Sequence, residues 1–230
     1  KLAVFKQEKI ILKNKISLQD LQNKIYDITK EFKNIEKAII SSVGNLKKND
    51  LSFIKKHFKI LVLDASIKVP FQNLYKSPKT LGVDRIALVS ASVKNYYKQN
   101  VLIIDAGTCI TYDFINNENK YIGGAISPGI RTRYQSLNNL TANLPLLETK
   151  TPHNFIGNST TESIHSGIIN GILNEIEGTI SEYDKNYKDL TVILTGGDAD
   201  FLSKQLKSSI FANSNFILEG LNYILEFNTN

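Results

Sequence analysis

Apolar positions along this chain switch between two periods, and the switching predicts alternating strands and helices. Lys1–Phe5 and Lys9–Lys13 are short apolar-rich runs around Lys6–Glu8, which reads as a β-hairpin. Leu18, Leu21, Ile25, Ile28 and Phe32 then recur at spacings of three and four, one helical stripe. Ser17 with Asp20 makes a capping-box-like start for that helix. Ala38–Val43 reads as a buried strand, Asp50 caps a short helix ending near Phe58, and Ile60–Leu63 is another strand. Residues 64–82, holding Pro70 and Pro78, form a less regular connection.

A helix over Asp84–Tyr97 follows, with Ile86, Val89 and Val93 on its inner face. Val101–Ile104 is a fully apolar strand, Thr111–Ile115 a second after a tight Gly107 turn, and Tyr121–Ile126 a third. Pro128-Gly129 breaks the pattern before a helix over Ile130–Leu140. The longest helix, Thr161–Tyr183, sets Ile164, Ile168, Ile172, Ile176 and Ile180 four apart. Ile169 and Leu173 lie off that stripe, and an arc this wide predicts a homodimer through this helix. Thr191–Leu194 is a buried strand, and a short helix, a last strand at Phe216–Leu218 and a terminal helix close the chain. Such alternation predicts an α/β fold, a sheet with helices packed on it.

There is a weak internal repeat. The stretch VLIIDAGTCITYDFINNENKYIGGAI reads strand, turn, strand, turn, strand, and the opening KLAVFKQEKIILK matches its last two strands. Two copies of a β-β-β-α-β-α unit predict two ribonuclease-H-like halves, residues 1–98 and 99–230. The strand and acidic glycine turn that open the first copy are expected before Lys1.

Composition narrows the picture. At 230 residues the chain makes one large domain or two small ones. No apolar run approaches the ~20 residues that span a bilayer, and the start carries no signal-peptide pattern. These features predict a cytoplasmic protein without a membrane partner. The single cysteine, Cys109, excludes an intrachain disulfide framework and reads as a buried structural thiol. The net charge of +6 comes from lysines scattered over the chain. A scattered pattern predicts a solvated surface and no nucleic-acid partner. Only three arginines occur, Arg85, Arg131 and Arg133, and retained arginine in a lysine-rich chain marks positions that need a planar, bidentate donor.

Five short elements could carry chemistry. Asp105-Ala106-Gly107-Thr108 follows an apolar strand, at the carboxyl end where ligands bind in α/β sheets. Gly107 lets a ligand approach the backbone and Thr108 adds a hydroxyl. A carboxylate beside phosphate requires a cation between them. The same residues also suit an ordinary hairpin turn. Thr195-Gly196-Gly197-Asp198 presents a flat backbone surface before a helix, or simply a tight βα turn. Gly82-Val83-Asp84-Arg85 puts a carboxylate and a cationic hydrogen-bond donor at a helix start. Asp84 could take a proton from a bound hydroxyl and Arg85 could clamp an anion. Alternatively Asp84 is a helix cap beside a surface arginine. Gly123–Gly129 leads into Arg131 and Arg133, and Gly157–Thr160 precedes the long helix with Thr160 as an N-cap candidate. The phosphate loops GxxxxGK[ST] and GxGxxG are absent.

The order GVDR, DAGTCITYDF, YIGGAISPGIRTRYQSLNNLTANLP, IGNSTTESIHSGIINGI, LTGGDA, ILEGLNYI resembles the type III pantothenate kinases. These belong to the acetate and sugar kinase, chaperone ATPase and actin superfamily. The resemblance covers nearly all of residues 70–225 and extends more loosely to Lys1. It implies two ribonuclease-H-like, actin-like ATPase halves with a nucleotide cleft between them. It also implies ATP-dependent phosphorylation of pantothenate to 4′-phosphopantothenate, the first step of coenzyme A biosynthesis, with Mg²⁺ and a monovalent cation, K⁺ or NH₄⁺, as cofactors.

By the same resemblance Asp84 matches the catalytic base, and Gly82, Val83, Asp84 and Arg85 match the segment that contacts pantothenate. Tyr75 matches an aromatic lining that pocket. Asp105 matches the monovalent-cation ligand, and Gly107 and Thr108 an ATP-phosphate contact. Thr160, or Thr161 beside it, matches a threonine that reaches substrate across a dimer interface. Gly196 and Gly197 match the adenosine-side turn. The family's first phosphate motif, DxGNT, is not within these residues, and roughly a dozen residues before Lys1 would hold its strand and turn. The alternative is a catalytically silent relative acting as an accessory regulatory protein; intact Asp84, Arg85 and Asp105 speak against it.

Overall fold

The computed structural model describes residues 1–41 and 46–229. In chain order the elements begin with β1 (Leu2–Lys6), β2 (Lys9–Asn14), α1 (Leu21–Glu31), β3 (Lys37–Ile40), α2 (Lys48–His57), β4 (Lys59–Val62) and β5 (Gln72–Asn73). They continue with α3 (Val83–Asn95), β6 (Val101–Ala106), β7 (Cys109–Ile115), β8 (Lys120–Pro128), α4 (Ile130–Leu140) and α5 (Thr160–Asn186). Last come β9 (Thr191–Gly196), α6 (Ala199–Ser203), β10 (Phe211–Ala212) and α7 (Phe216–Thr229). The fold is mixed α/β, as the alternating periods predict.

Two compact units form. One comprises Lys1–Phe71, Lys76–Lys94 and Ile217–Asn230; the other Gln72–Tyr75 and Asn95–Phe216. A single boundary near residue 98 therefore differs from the fold in two places. The terminal helix belongs with the first unit, and β5 pairs with β8 of the second.

The second unit is built on a six-stranded sheet in the order β10-β9-β6-β7-β8-β5. β7 is antiparallel to both β6 and β8, whereas β9 runs parallel to β6 and β10 parallel to β9. From β6 onward this is the strand order of a ribonuclease-H-like half. β6 is central, and Val101, Leu102, Ile103 and Ile104 are all fully buried. Burial on both faces explains why β6 reads as an unbroken apolar run without alternation. The α5 isoleucines pack with Leu102 and Ile104 of β6 and with Val192 and Leu194 of β9. Ile169 is fully buried and Leu173 packs against the same core. The off-stripe residues that suggested a second partner surface are thus satisfied within the unit.

In the first unit β1 and β2 form an antiparallel hairpin, and β3 and β4 a parallel pair. Leu21 and Ile25 of α1 pack with Ile54 of α2, and Leu2, Ile40 and Ile60 close this small core. α3 is buried along Arg85–Val93. α7 lies against it so closely that a Cβ on Gly220 would stand 1.9 Å from the Ala87 carbonyl oxygen.

Three local expectations change. α1 begins at Leu21, because Ser17 and Asp20 close a turn on each other ahead of it, with Ser17 Oγ donating to the Asp20 carboxylate at 2.7 Å. Leu18 is accordingly exposed. The strand expected at Phe216–Leu218 is the start of α7, because Asn213 turns the chain: its side-chain oxygen accepts from the Asn215 N–H at 2.9 Å. The last strand is Phe211–Ala212 instead. Cys109 is exposed, since it opens β7 at the sheet's edge of the turn and points away from the core. The far end of the strand expected over Ala38–Val43 lies outside the described residues.

Two glycine substitutions separate packing from propensity. Gly220→Ala lowers the melting temperature, because overpacking costs about 1–3 kcal/mol against a helix-propensity gain of at most ~1 kcal/mol. Gly178→Ala, in the interior of α5 with nothing within 4 Å of the added methyl, raises it by the equivalent of about 0.5–1 kcal/mol. Thermal unfolding of both variants checks the pair.

Candidate active site

In the first unit the candidate residues sit at the start of α3. Asp84 is exposed in the first turn, where the helix dipole favours a negative charge. Its carboxylate folds back over Gly82: a Cβ there would lie 2.3 Å from Asp84 Oδ1. Glycine at 82 therefore leaves the carboxylate its position. Arg85 is 5% exposed, so it is a buried cation and not the surface arginine of the structural reading. Val83 is half-buried and opens the helix.

In the second unit the β6–β7 turn carries the next group. Register sets Asp105 beside Thr111 of β7 on one side and Thr195 of β9 on the other. Paired residues share a face of the sheet, so a half-buried carboxylate is flanked by two hydroxyl-bearing side chains. Gly196 makes this possible. Its φ is +102°, and a Cβ would meet the Ala106 carbonyl at 2.2 Å and Asp105 Oδ1 at 2.5 Å. The turn itself is pinned on several sides. Gly107 N–H donates to the Cys109 carbonyl at 2.9 Å, Asp198 N–H to the Ala106 carbonyl at 3.0 Å, and Thr132 Oγ1 to the Thr108 carbonyl at 2.6 Å. Gly129 packs on the turn, with a Cβ position 1.9 Å from the Gly107 carbonyl. The Gly107 and Gly197 backbones face open space by contrast, with nothing nearer than 4.0 Å to an added methyl on Gly107 and nothing within 4 Å on Gly197. Thr108 is exposed at the tip.

This donor set fits a cation that phosphate helps to hold. Among the described residues no group of three or more His, Cys, Asp or Glu could cage a metal. One carboxylate with neighbouring oxygens suits a monovalent cation, or Mg²⁺ held largely by phosphate oxygens.

Tyr75 belongs to the second unit. Its ring stacks on Tyr121 with centroids 6.0 Å apart, and it covers Gly123, which adopts φ +127°. Tyr121 is fixed in turn by donating its hydroxyl to Asp113 at 2.6 Å. Thr160 is the first residue of α5 and is exposed. It is not the cap: Ser159 is the N-cap, its hydroxyl accepting from the Glu162 N–H. Thr160 lines a groove of about 620 Å³ with Arg133, Leu137, Ile164 and Ile168.

Arg131 and Arg133 use their planar forks on the protein itself. Arg131 donates to the Leu147 carbonyl at 2.8 Å. Arg133 donates to the Pro128 carbonyl at 2.9 Å and pairs with Glu175, which also accepts from Tyr112 and Ser127. Burial alone would raise the Glu175 pKa, but these hydrogen bonds outweigh it and hold the carboxyl below its ordinary value.

Comparison with known proteins adds the family. Residues 1–182 match the family model described as type III pantothenate kinase. The chain belongs to the type III pantothenate kinase family. A protein of that name from Christiangramia forsetii is 52% identical over 99% of this chain and 94% of its own length. One from Flavobacterium johnsoniae is 45% identical over 99% and 93%. Among solved structures, a Campylobacter jejuni protein provisionally described as a Baf family transcriptional activator is 26% identical, with a TM-score of 0.57 over 88% of both chains.

One residue of this pantothenate kinase family member lies beside the candidate residues without being singled out by the sequence. Asp198, the last residue of TGGD, is a carboxylate whose pKa burial pushes up, and its N–H is tied to β6. The motif TGGD displays the acid, but its burial comes from packing that local sequence does not carry.

The two glycines of the TGGD turn should respond differently. Gly196→Ala loses stability by about 1–3 kcal/mol, since it forces a strained backbone into contact with Ala106 and Asp105. Gly197→Ala stays within about 0.5 kcal/mol of the parent. Denaturant titration of the two variants reads the difference.

Proposed function

We infer that this protein transfers the terminal phosphoryl group of ATP to the primary hydroxyl of pantothenate, giving 4′-phosphopantothenate and ADP. Family membership along the chain carries this reading, and the settings of Asp84 in the first unit and of Asp105 in the second, each taken by itself, support it. Phosphoryl transfer asks the protein mainly for positioning and charge neutralisation. Asp84, exposed and held over Gly82, accepts the hydroxyl proton as the new oxygen–phosphorus bond forms and the bond to the ADP oxygen breaks. Arg85 takes an anionic or carbonyl oxygen of pantothenate, and its burial strengthens that attraction by lowering the local dielectric. Tyr75 supplies an apolar wall. Gly107, Thr108 and the Gly196-Gly197 turn, which is open at Gly197, receive the nucleotide. Asp105 would hold a monovalent cation, K⁺ or NH₄⁺, whose charge would offset that of the phosphates. Further neutralisation of the phosphate charge would come from bound Mg²⁺. A cytoplasmic location is part of the same reading.

A silent, regulatory relative is the second reading, suggested by the description of the Campylobacter neighbour. One assay series separates the two. With the natural full-length chain, Asp84→Asn keeps the melting temperature and lowers turnover by about 10²–10⁴. If Asp84 is only a cap, turnover stays near the parent, and Asp84→Ala alone loses about 1 kcal/mol of stability. In the same series Asp105→Asn raises the KM for ATP more than that for pantothenate, and the parent loses activity in sodium-only buffer. A folded parent chain without turnover selects the regulatory reading.

We also propose a homodimer formed through the second unit, with Thr160 reaching the partner's substrate. Support comes from large apolar side chains left in water there, Ile126 at 63%, Leu140 at 83% and Ile156 at 81% exposed, together with the groove beside Thr160. Sedimentation equilibrium at micromolar concentration should give twice the chain mass; a monomer there refutes the assembly.

A further inference from the structure

Arg133 and Glu175 form an ion pair in the second unit, and neither takes part in the chemistry described above. Glu175 stands midway along α5 and gathers donors from three other elements. Its Oε1 accepts from the Tyr112 hydroxyl of β7 at 2.8 Å. Its Oε2 accepts from the Ser127 hydroxyl of β8 at 3.1 Å and from the Arg133 guanidinium of α4. Arg133 Nη2 also donates to Ser127 Oγ at 2.9 Å, and its Nε to the Pro128 carbonyl at 2.9 Å. Four elements, α5, β7, β8 and α4, thus meet at one carboxylate. The two side chains are only 21% and 29% exposed, so salt screens their attraction less than that of a surface pair.

This brace holds the junction from Ser127 to Arg133. β5 reaches only Lys120 and Tyr121 of β8, so among the described residues the rest of β8 pairs with β7 alone. Gly124, Ala125 and Ile126 are exposed. Ile130 and Tyr134 bury one face of α4 in the core. Apolar contact is non-directional, however, and does not fix how a helix is rolled about its axis. The hydrogen bonds of Arg133 and Ser127 do. The roll matters because the same junction grips the β6–β7 turn. The Gly129 N–H donates to the Thr108 carbonyl at 3.0 Å, and Thr132 Oγ1 donates to that same carbonyl at 2.6 Å. Two donors on one carbonyl fix the plane of the peptide that follows Thr108, and with it the direction in which Thr108 presents its hydroxyl.

We propose that Glu175 is a positioning residue for the phosphoryl donor: through Arg133 and Ser127 it sets the first turn of α4, which holds Thr108 in the orientation that receives the phosphates of ATP. The proposal rests on the reading of Gly107-Thr108 as the phosphate turn. Glu175 acts only through the junction and the Thr108 carbonyl. Its influence is therefore confined to the nucleotide and leaves pantothenate binding alone.

Calorimetric binding of a non-hydrolysable ATP analogue to the natural full-length protein, with steady-state kinetics beside it, tests this. Glu175→Gln keeps the side-chain shape and can still accept from Tyr112 and Ser127, but it removes the charge that Arg133 meets. It should weaken analogue binding and raise the KM for ATP by about 2–30-fold, the span of coupling carried through intervening side chains, with the KM for pantothenate unchanged. Thr132→Val removes the last link and should give the same split. The double variant should bind no more weakly than the weaker single one, because both substitutions break one chain of contacts. If Glu175→Gln does not fold, Ser127→Ala at its half-buried site carries the test and should show the same split at the parent's melting temperature. A purely structural Glu175 predicts a lower melting temperature with both KM values at the parent's, and that result overturns the proposal. Equal rises in both KM values, or additive effects in the double variant, overturn it too. A parent that binds no analogue overturns the phosphate-turn reading and the proposal with it. A parent that binds the analogue with an affinity every variant shares overturns the proposal alone.

Discussion

The pairing of β6 with β9 is the constraint on which the second unit rests. Six consecutive residue pairs hold the two strands in parallel register, from Val101 against Thr191 to Ala106 against Gly196. A slip of one residue would turn Asp105 to the other face and put a side chain where Gly196 now allows the backbones to meet. The buried isoleucines of α5 lock the register from one face, since they pack on alternate residues of both strands. The position of the Asp105 carboxylate is thus a product of core packing several residues away. Hydrogen bonds from Gly107, Asp198 and Thr132 then fix the turn beyond it.

Much of this was legible in the amino-acid order. β6 announces itself as VLII, because a strand buried on both faces has no polar position to disguise it. The α5 stripe is equally plain, since a helix packed along its length repeats its core residue every turn. The catalytic candidates at GVDR and DAGT were visible as motifs, but their settings were not. That Arg85 is buried while its neighbour Asp84 is exposed follows from how α3 packs, which local sequence does not carry. Phe216–Leu218 misled for a similar reason: three apolar residues in a row fit a strand, and only the Asn213 turn before them starts the helix.

Retained arginine has a mixed meaning. Arg131 and Arg133 spend their guanidinium groups on the protein's own carbonyls and on Glu175. They brace the ends of β8 and the long loop after α4, and so shape the groove beside Thr160 without needing a ligand. Arg85 alone sits beside a candidate catalytic acid.

The glycines divide the same way, with a consequence for how natural variation in this family can be read. At positions 129, 196 and 220 any side chain would overlap a neighbouring carbonyl, so constancy across relatives there would testify to packing and say nothing of chemistry. A Cβ added at Gly107 or Gly197 would meet nothing nearer than 4.0 Å. If relatives nevertheless keep glycine at those two places, the fold is not the agent that forbids change. The pressure would have to come from a molecule that docks against the bare backbone, and the pattern of substitution alone would outline its footprint.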